Sequence, residues 1–333
     1  MKRSPLLLVV LALAAGPVIV TAACGGGEPE PKTATVTKAT ETVAPAPSPT
    51  PSPAATPEPI ATTPLPPPPP PVVEDMAPSA DPTPLPTVKI LAPAEGTTAG
   101  DVEKAKNATV RLDVKNWETK EGGNHVHLIL DDHPYKPIYD TKAPVKIAEL
   151  LPAGVDLTEG LHVLHAFPSR PTHESVKSKG ALSMVTFWVG KKGKATVDYK
   201  KPHVVYSRPK GSYAGPAAKE LLLDFYLVGT TLEKGDKVRY TITGPGLDTP
   251  LTGEFTKWAP KVVKNLGKGE YSFKLEYLDK DGKVIAAPLN GTTRTVKLDP
   301  TAEPGADAHG GHAMPMGAGS AAPGASAAPA SSK

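Results

Sequence analysis

The run His125-Val126-His127-Leu128-Ile129-Leu130-Asp131 places its two imidazoles on one face of an extended strand, with Val126, Leu128 and Leu130 on the other. Residues 108–114, 161–167 and 181–189 are short β-prone runs of the same kind. In the second half come 219–228, 237–243, 269–278 and 294–298. Gly, Pro, Asp and Asn punctuate the intervals, and no long segment repeats with a helical period. Strands of this kind at this spacing predict an all-β fold of the sandwich type. Leu278-Asp279-Lys280-Asp281-Gly282-Lys283-Val284 reads as a tight hairpin in which Gly282 takes the positive φ. It lacks the further ligands of a calcium loop.

The pattern occurs twice. Residues 144–150, Pro-Val-Lys-Ile-Ala-Glu-Leu, match residues 260–266, Pro-Lys-Val-Val-Lys-Asn-Leu. Each is followed by a glycine-led strand, at Gly160 and Gly269, and 126–130 stands where 238–242 stands in the second copy. Repetition on this scale predicts two tandem modules, 88–200 and 201–299, meeting near the basic stretch 191–201.

These motifs carry a resemblance. His125, His127, Leu128 and Asp131, followed by Gly160 and His162, resemble small secreted bacterial domains of uncharacterised function with an immunoglobulin-like sandwich. Residues 206–211 (Tyr-Ser-Arg-Pro-Lys-Gly), 223–226 and Trp258-Ala259-Pro260 are similar to segments of uncharacterised secreted bacterial proteins. The likeness covers most of residues 88 to 299. It implies a tandem immunoglobulin-like fold and no particular activity.

The ends have a different composition. Of 41 prolines in the 333 residues, 20 fall between Pro29 and Pro86, and every aromatic residue lies between Trp117 and Tyr277. Without large apolar side chains, 24–87 is expected to be a disordered linker and 300–333 a disordered tail. The linker contains a hexaproline, Pro66 to Pro71. As extended polyproline II it would reach on the order of 180 Å, a semi-rigid spacer. Residues 1–23 combine Lys2 and Arg3 with an apolar run and small residues, the pattern of a secretory signal. Thr21-Ala22-Ala23-Cys24 resembles the lipobox of bacterial lipoproteins, with Thr21 where leucine is commonest. That resemblance implies that Cys24, the only cysteine, is lipidated, palmitate-bearing and the anchor to a membrane of the cell envelope.

Candidate chemistry rests on histidine. His125 and His127 share the face away from the core, and His162 joins them if Leu161, Val163 and Phe167 point inward. Three imidazoles on one outer face could hold copper or zinc. His165, in the opposite phase, is expected to be buried, and His173 to sit in a polar loop. In the tail, His309, His312, Met314 and Met316 form a second candidate copper-binding set. No cofactor is demanded by any other motif.

Catalysis finds little support. Lipidation would consume the one thiol, and the sequence has no G-x-S-x-G, no H-E-x-x-H and no phosphate-cradling glycine loop. His173-Glu174-Ser175 reads as a solvated turn, and Asp131-Asp132 as hairpin ends. The expected protein is therefore not an enzyme. A formal net charge of +3 argues against nucleic acid. Lys257, Lys261, Lys264 and Lys268 read as a solvated surface, leaving an envelope protein or polymer as the partner class, besides the membrane.

Overall fold

A computed structural model of the chain describes residues 67–303, all within one compact unit. The signal segment, Cys24, most of the expected linker and the set His309, His312, Met314 and Met316 lie outside the described residues. The first strand is β1 (Val72–Asp75). Then follow β2 (Thr87–Ala92), β3 (Thr97–Thr98), a short helix α1 (Val102–Asn107) and β4 (Thr109–Lys115). β5 (His125–Leu130), β6 (Lys136–Ile138), β7 (Val145–Lys146), β8 (Gly160–Ser169) and β9 (Ser183–Val189) complete the first half. The second half contains β10 (His203–Arg208), β11 (Gly211–Ala214), β12 (Glu220–Val228) and β13 (Lys237–Thr243). It ends with β14 (Leu251–Phe255), β15 (Lys261–Lys264), β16 (Gly269–Leu278) and β17 (Thr293–Asp299).

The all-β, two-sandwich expectation matches the sheets. In the first half, β2-β4-β7 faces β3-β9-β8-β5-β6. In the second, β10-β12-β15 faces β11-β17-β16-β13-β14. The strand orders correspond one for one, including the parallel pairs β3 with β9 and β11 with β17. Each sandwich has its own core: Val126, Leu128, Leu164 and Phe187 in one, Phe225, Tyr271, Phe273 and Val296 in the other. The expected hairpin is present, with Leu278 bridged to Val284 and Gly282 at φ 80°.

A third apolar cluster joins the two sandwiches. Ile129 on β5 and Phe167 on β8 pack with Tyr135 against Val205 on β10 and Tyr226 and Val228 on β12. The Phe167 and Tyr226 rings stand 4.7 Å apart. Every residue of β5 and β10 is consequently buried, although a strand at a sandwich surface would alternate. The face opposite the first core is thus a junction, not a solvent surface.

Two expectations need correction. The expected spacer does not run free to Pro86, because Val72–Asp75 adds a strand to the edge of β15 in the second sandwich. Val72-Val73 supplies β-branched side chains directly after the prolines, and Val73 packs on the second core. Asn265 Nδ2 donates to Pro70 O at 3.1 Å, and Met76 N to Pro260 O. The chain then crosses back to begin the first sandwich at β2, forming a strap over both.

The phase of β8 is also reversed from that expected. Leu164 and Ala166 face the core, whereas His165 lies opposite Ile129 and Phe167 opposite His127 on the junction face. Residues 161–167 carry apolar side chains in both phases, so alternation alone could not choose between them.

Candidate metal centre

The junction gathers histidines from both sandwiches. His125 and His127 project from β5 on the face opposite Val126 and Leu128, as their spacing requires. Instead of facing water they are 1% and 0% exposed, because Tyr139 and His173 pack on His125 while Tyr135 and Ser207 of β10 meet His127. His173 arrives from the loop between β8 and β9. Its backbone sits in the left-handed region at φ 65°, within a turn closed by His173 N donating to Arg170 O. That loop is not the solvated turn expected of residues 173–175. Glu174 accepts hydrogen bonds from Ser79 N at 2.9 Å and from Ser79 Oγ, both on the strap. Ser175 N donates to Asp224 Oδ2 on β12 at 2.8 Å, and Lys177 pairs with the same carboxylate at 2.7 Å.

Three ring nitrogens converge. His125 Nε2 lies 3.0 Å from His127 Nε2 and 3.0 Å from His173 Nδ1, and the candidate ligand atoms all fall within 4.8 Å of one another. His125 Nδ1 is 2.9 Å from Gly123 O, so that nitrogen carries the proton and Nε2 is unprotonated in the neutral ring. One lone pair on His125 Nε2 therefore faces two ring nitrogens at once. His127 Nδ1 meets Ser207 Oγ at 3.1 Å, which leaves its Nε2 to point inward. Burial holds the His127 pKa well below the ordinary imidazole value, and the charges of His125 and His173 act in the same direction. The ring is thus neutral at physiological pH, the state in which histidine ligates metal. Tetrahedral zinc with bonds of 2.0–2.1 Å separates its ligand nitrogens by about 3.3 Å. Two of the three separations, at 3.0 Å, are close to that spacing, and an outer hydrogen bond on Nδ1 is how metal-binding histidines are commonly oriented.

Tyr135 closes the cluster. Its ring stacks on His127 at 3.5 Å and its hydroxyl lies 3.2 Å from His173 Nδ1. Arg208 hydrogen-bonds the same tyrosine, and Lys210 Nζ lies 4.3 Å from its ring centroid. Burial, with the charges of Arg208 and Arg294, pushes the Lys210 pKa down to about 8.

The other expected ligands lie elsewhere. His162 belongs to neither the junction nor the triad. Its Nδ1 meets Asp131 Oδ2 at 2.7 Å and its Nε2 meets Thr158 O at 2.9 Å. Burial opposes its charged form, yet the Asp131 hydrogen bond and charge prevail and raise its pKa. His165 is buried as expected, but at the junction, with Nε2 3.2 Å from His203 Nε2. Burial and His203 press its pKa to about 3. His162 is excluded by the phase of β8 and by its register, which sets Phe167, five residues further along, opposite His127, whereas His173 enters from its loop. The signal that could have exposed it is Ile129, an apolar residue on the supposedly wet histidine face, together with His203-Val204-Val205, apolar in both phases.

Scanned against protein-family models, the chain matches none, and no curated protein matches it. Among solved structures it is similar to the fibronectin(III)-like modules of Clostridium thermocellum CbhA, at 16% identity and a TM-score of 0.21, covering 64% of this chain and 93% of that one. The chicken CNTN1 FN1-FN3 domains match at 8% identity and a TM-score of 0.21, covering 64% and 65%. The two tandem V-type regions of VCBP3, a v-region-containing chitin-binding protein, match at 9% and 0.22, covering 64% and 99%. At these values the likeness assigns neither a family nor an activity.

Proposed function

We propose that this is a lipid-anchored protein of the bacterial cell envelope whose paired sandwiches hold a zinc or copper ion at His125, His127 and His173. The observation that carries the reading is the convergence of three buried ring nitrogens, two of them 3.0 Å from the third. Neutral imidazoles of this kind suit zinc, copper, nickel and iron, and a cation among them satisfies all three lone pairs together. The protein acts as a binder, not an enzyme, because the three histidines are buried, each at most 4% exposed. Anchoring rests on the lipobox-like segment ending at Cys24, and the proline-rich segment before the strap serves as the stalk. Displayed in this way, the sandwiches also offer an outer surface to an envelope protein or polymer.

The test is titration of the full chain, in detergent, with zinc and with copper(II), followed by calorimetry. Alanine replacement of His309, His312, Met314 and Met316 removes the tail as a competing binder. One-to-one binding that survives this change and disappears in His127→Ala supports the site. Retention of equal affinity in His127→Ala rejects it. For the anchor, Cys24→Ala should move the protein from the membrane to the soluble fraction, and a variant that stays with the membrane rejects lipidation.

A further inference from the structure

His165 and His203 meet across the junction, one from each sandwich. His165 projects from β8 in the phase opposite Leu164 and Ala166, which face the first core. His203 projects from β10 in the phase opposite Val204 and Tyr206, which face the second. Both are 0% exposed, with the two Nε2 atoms 3.2 Å apart. His203 Nδ1 lies 2.7 Å from Lys201 O, an acceptor, so that nitrogen carries a proton. One further proton, on His165 Nε2, donates to His203 Nε2 and keeps both rings neutral. His165 Nδ1 has no hydrogen-bond partner among the described residues. A third proton then has two places to go. On His165 Nδ1 it meets no acceptor, and on the Nε2 pair it sets two N–H groups against each other. The surroundings do not offset its charge. Ile129 of β5 and Met184 of β9 flank His165 in register, and Val228 of β12 lies opposite His203. The other titratable group facing the pair is Tyr199, its ring 6.5 Å from that of His203. Among the described residues, no carboxylate bonds to either ring. Burial accordingly holds His203 below the ordinary imidazole value and, with His203 beside it, His165 at about 3.

We infer that the His165–His203 contact is an acid-released latch: protonation separates the two sandwiches while each keeps its own fold. The inference stands apart from metal binding. A buried charge and a buried N–H without an acceptor are both relieved when the sheets part, because each imidazole then reaches water. Neither ring faces a core, so Leu128 and Phe187 in one sandwich and Phe225 and Phe273 in the other lose no packing. The apolar contact given up is the small junction cluster around Ile129, Phe167 and Tyr226. The sandwiches stay linked by residues 190–202 and by the strap, which pairs with β15 and reaches Glu174 through Ser79. The docked state binds the proton more weakly than the separated one, so docking is favoured above about pH 6.5. Each pH unit below that costs the docked state up to about tenfold in population, until His165 protonates in place near about pH 3.

The test measures the separation of the sandwiches in the chelator-stripped full chain carrying Cys24→Ala. Nitroxide labels are placed at two exposed positions, through Lys89→Cys in the first sandwich and Thr252→Cys in the second. Pulsed electron spin resonance should give one narrow distance at neutral pH and a broad, longer distribution below about pH 5.5. Far-ultraviolet circular dichroism should be unchanged across the opening, and neutralisation should reverse it. Replacing both rings, His165→Leu with His203→Leu, should move the opening at least about one pH unit lower. His165→Arg, charged at every pH, should be open at neutral pH. A parent that keeps the narrow distance until its far-ultraviolet signal collapses overturns the latch. Opening at an unchanged pH in the double leucine variant, or a narrow distance in folded His165→Arg, overturns the role of this pair. Where a variant fails to fold, the parent titration decides between release and unfolding.

Discussion

Ser207 Oγ, on β10 of the second sandwich, lies 3.1 Å from His127 Nδ1 in the first. The hydrogen bond spans 80 positions of sequence and makes the orientation of a candidate ligand depend on docking of the other module. Ser207→Ala should therefore lower metal affinity by about 10- to 100-fold, the usual effect of losing an outer-shell partner. Far-ultraviolet circular dichroism of the variant should match the parent, and unchanged affinity would show that Ser207 does not orient the ring.

His162 and His173 separate the local sequence pattern from the tertiary arrangement. His173→Ala should abolish tight metal binding, whereas His162→Ala should leave it intact and cost stability through the lost Asp131 contact. Isothermal titration on both variants distinguishes them. The opposite result would return His162 to the ligand set.

The strap is expected to stabilise the second sandwich, to which it contributes β1. Val73→Asp would place a charge against that core and should lower unfolding free energy by about 1–3 kcal/mol. The ion pairs of β1, Lys264 with Glu74 at 2.8 Å and Lys261 with Asp75, are screened by solvent and should contribute little. Denaturant titration checks both, and an unaltered midpoint in Val73→Asp would mean that the strap is only loosely attached.

Much of this architecture could be read from residue pattern, and the reason is local. β5, with its apolar alternate positions, and the glycine-led β8 and β16 identify themselves within a few residues. The repeat marks two modules built alike. The junction is a different matter. Which sheet faces meet depends on pairing Phe167 with Tyr226, 59 positions apart, and no periodicity within either strand records it. His173 was hidden for the same reason, since its burial comes from Asp224 and Ser79 holding its loop in place. The strap was concealed by composition, because four strand residues sit beside a hexaproline.

Acid should weaken the junction. The folded-state pKa of His165 is about 3, below the ordinary imidazole value of 6.5. The unfolded chain therefore binds the proton first, so this contribution is complete above about pH 6.5 and is lost as pH falls toward 3. The slope from this residue should approach about 1.4 kcal/mol per pH unit between those limits. His162 acts in the opposite sense, its raised pKa adding stability below about pH 6.5 that is lost as pH rises through the folded value. Urea unfolding of metal-free protein across this window should show a shallower acid loss in His165→Leu than in the parent. Equal slopes would contradict a buried neutral His165.

The most direct test of the account is the melting temperature of the chelator-stripped full chain, tail ligands replaced, with and without stoichiometric zinc or copper(II). An ion held between the sandwiches binds only the native state and must raise apparent stability, by about 2.7 kcal/mol when free metal is 100 times its dissociation constant. The account predicts a clear upward shift in the parent and none in His127→Ala or His173→Ala. A parent that melts at the same temperature with and without either metal would contradict it.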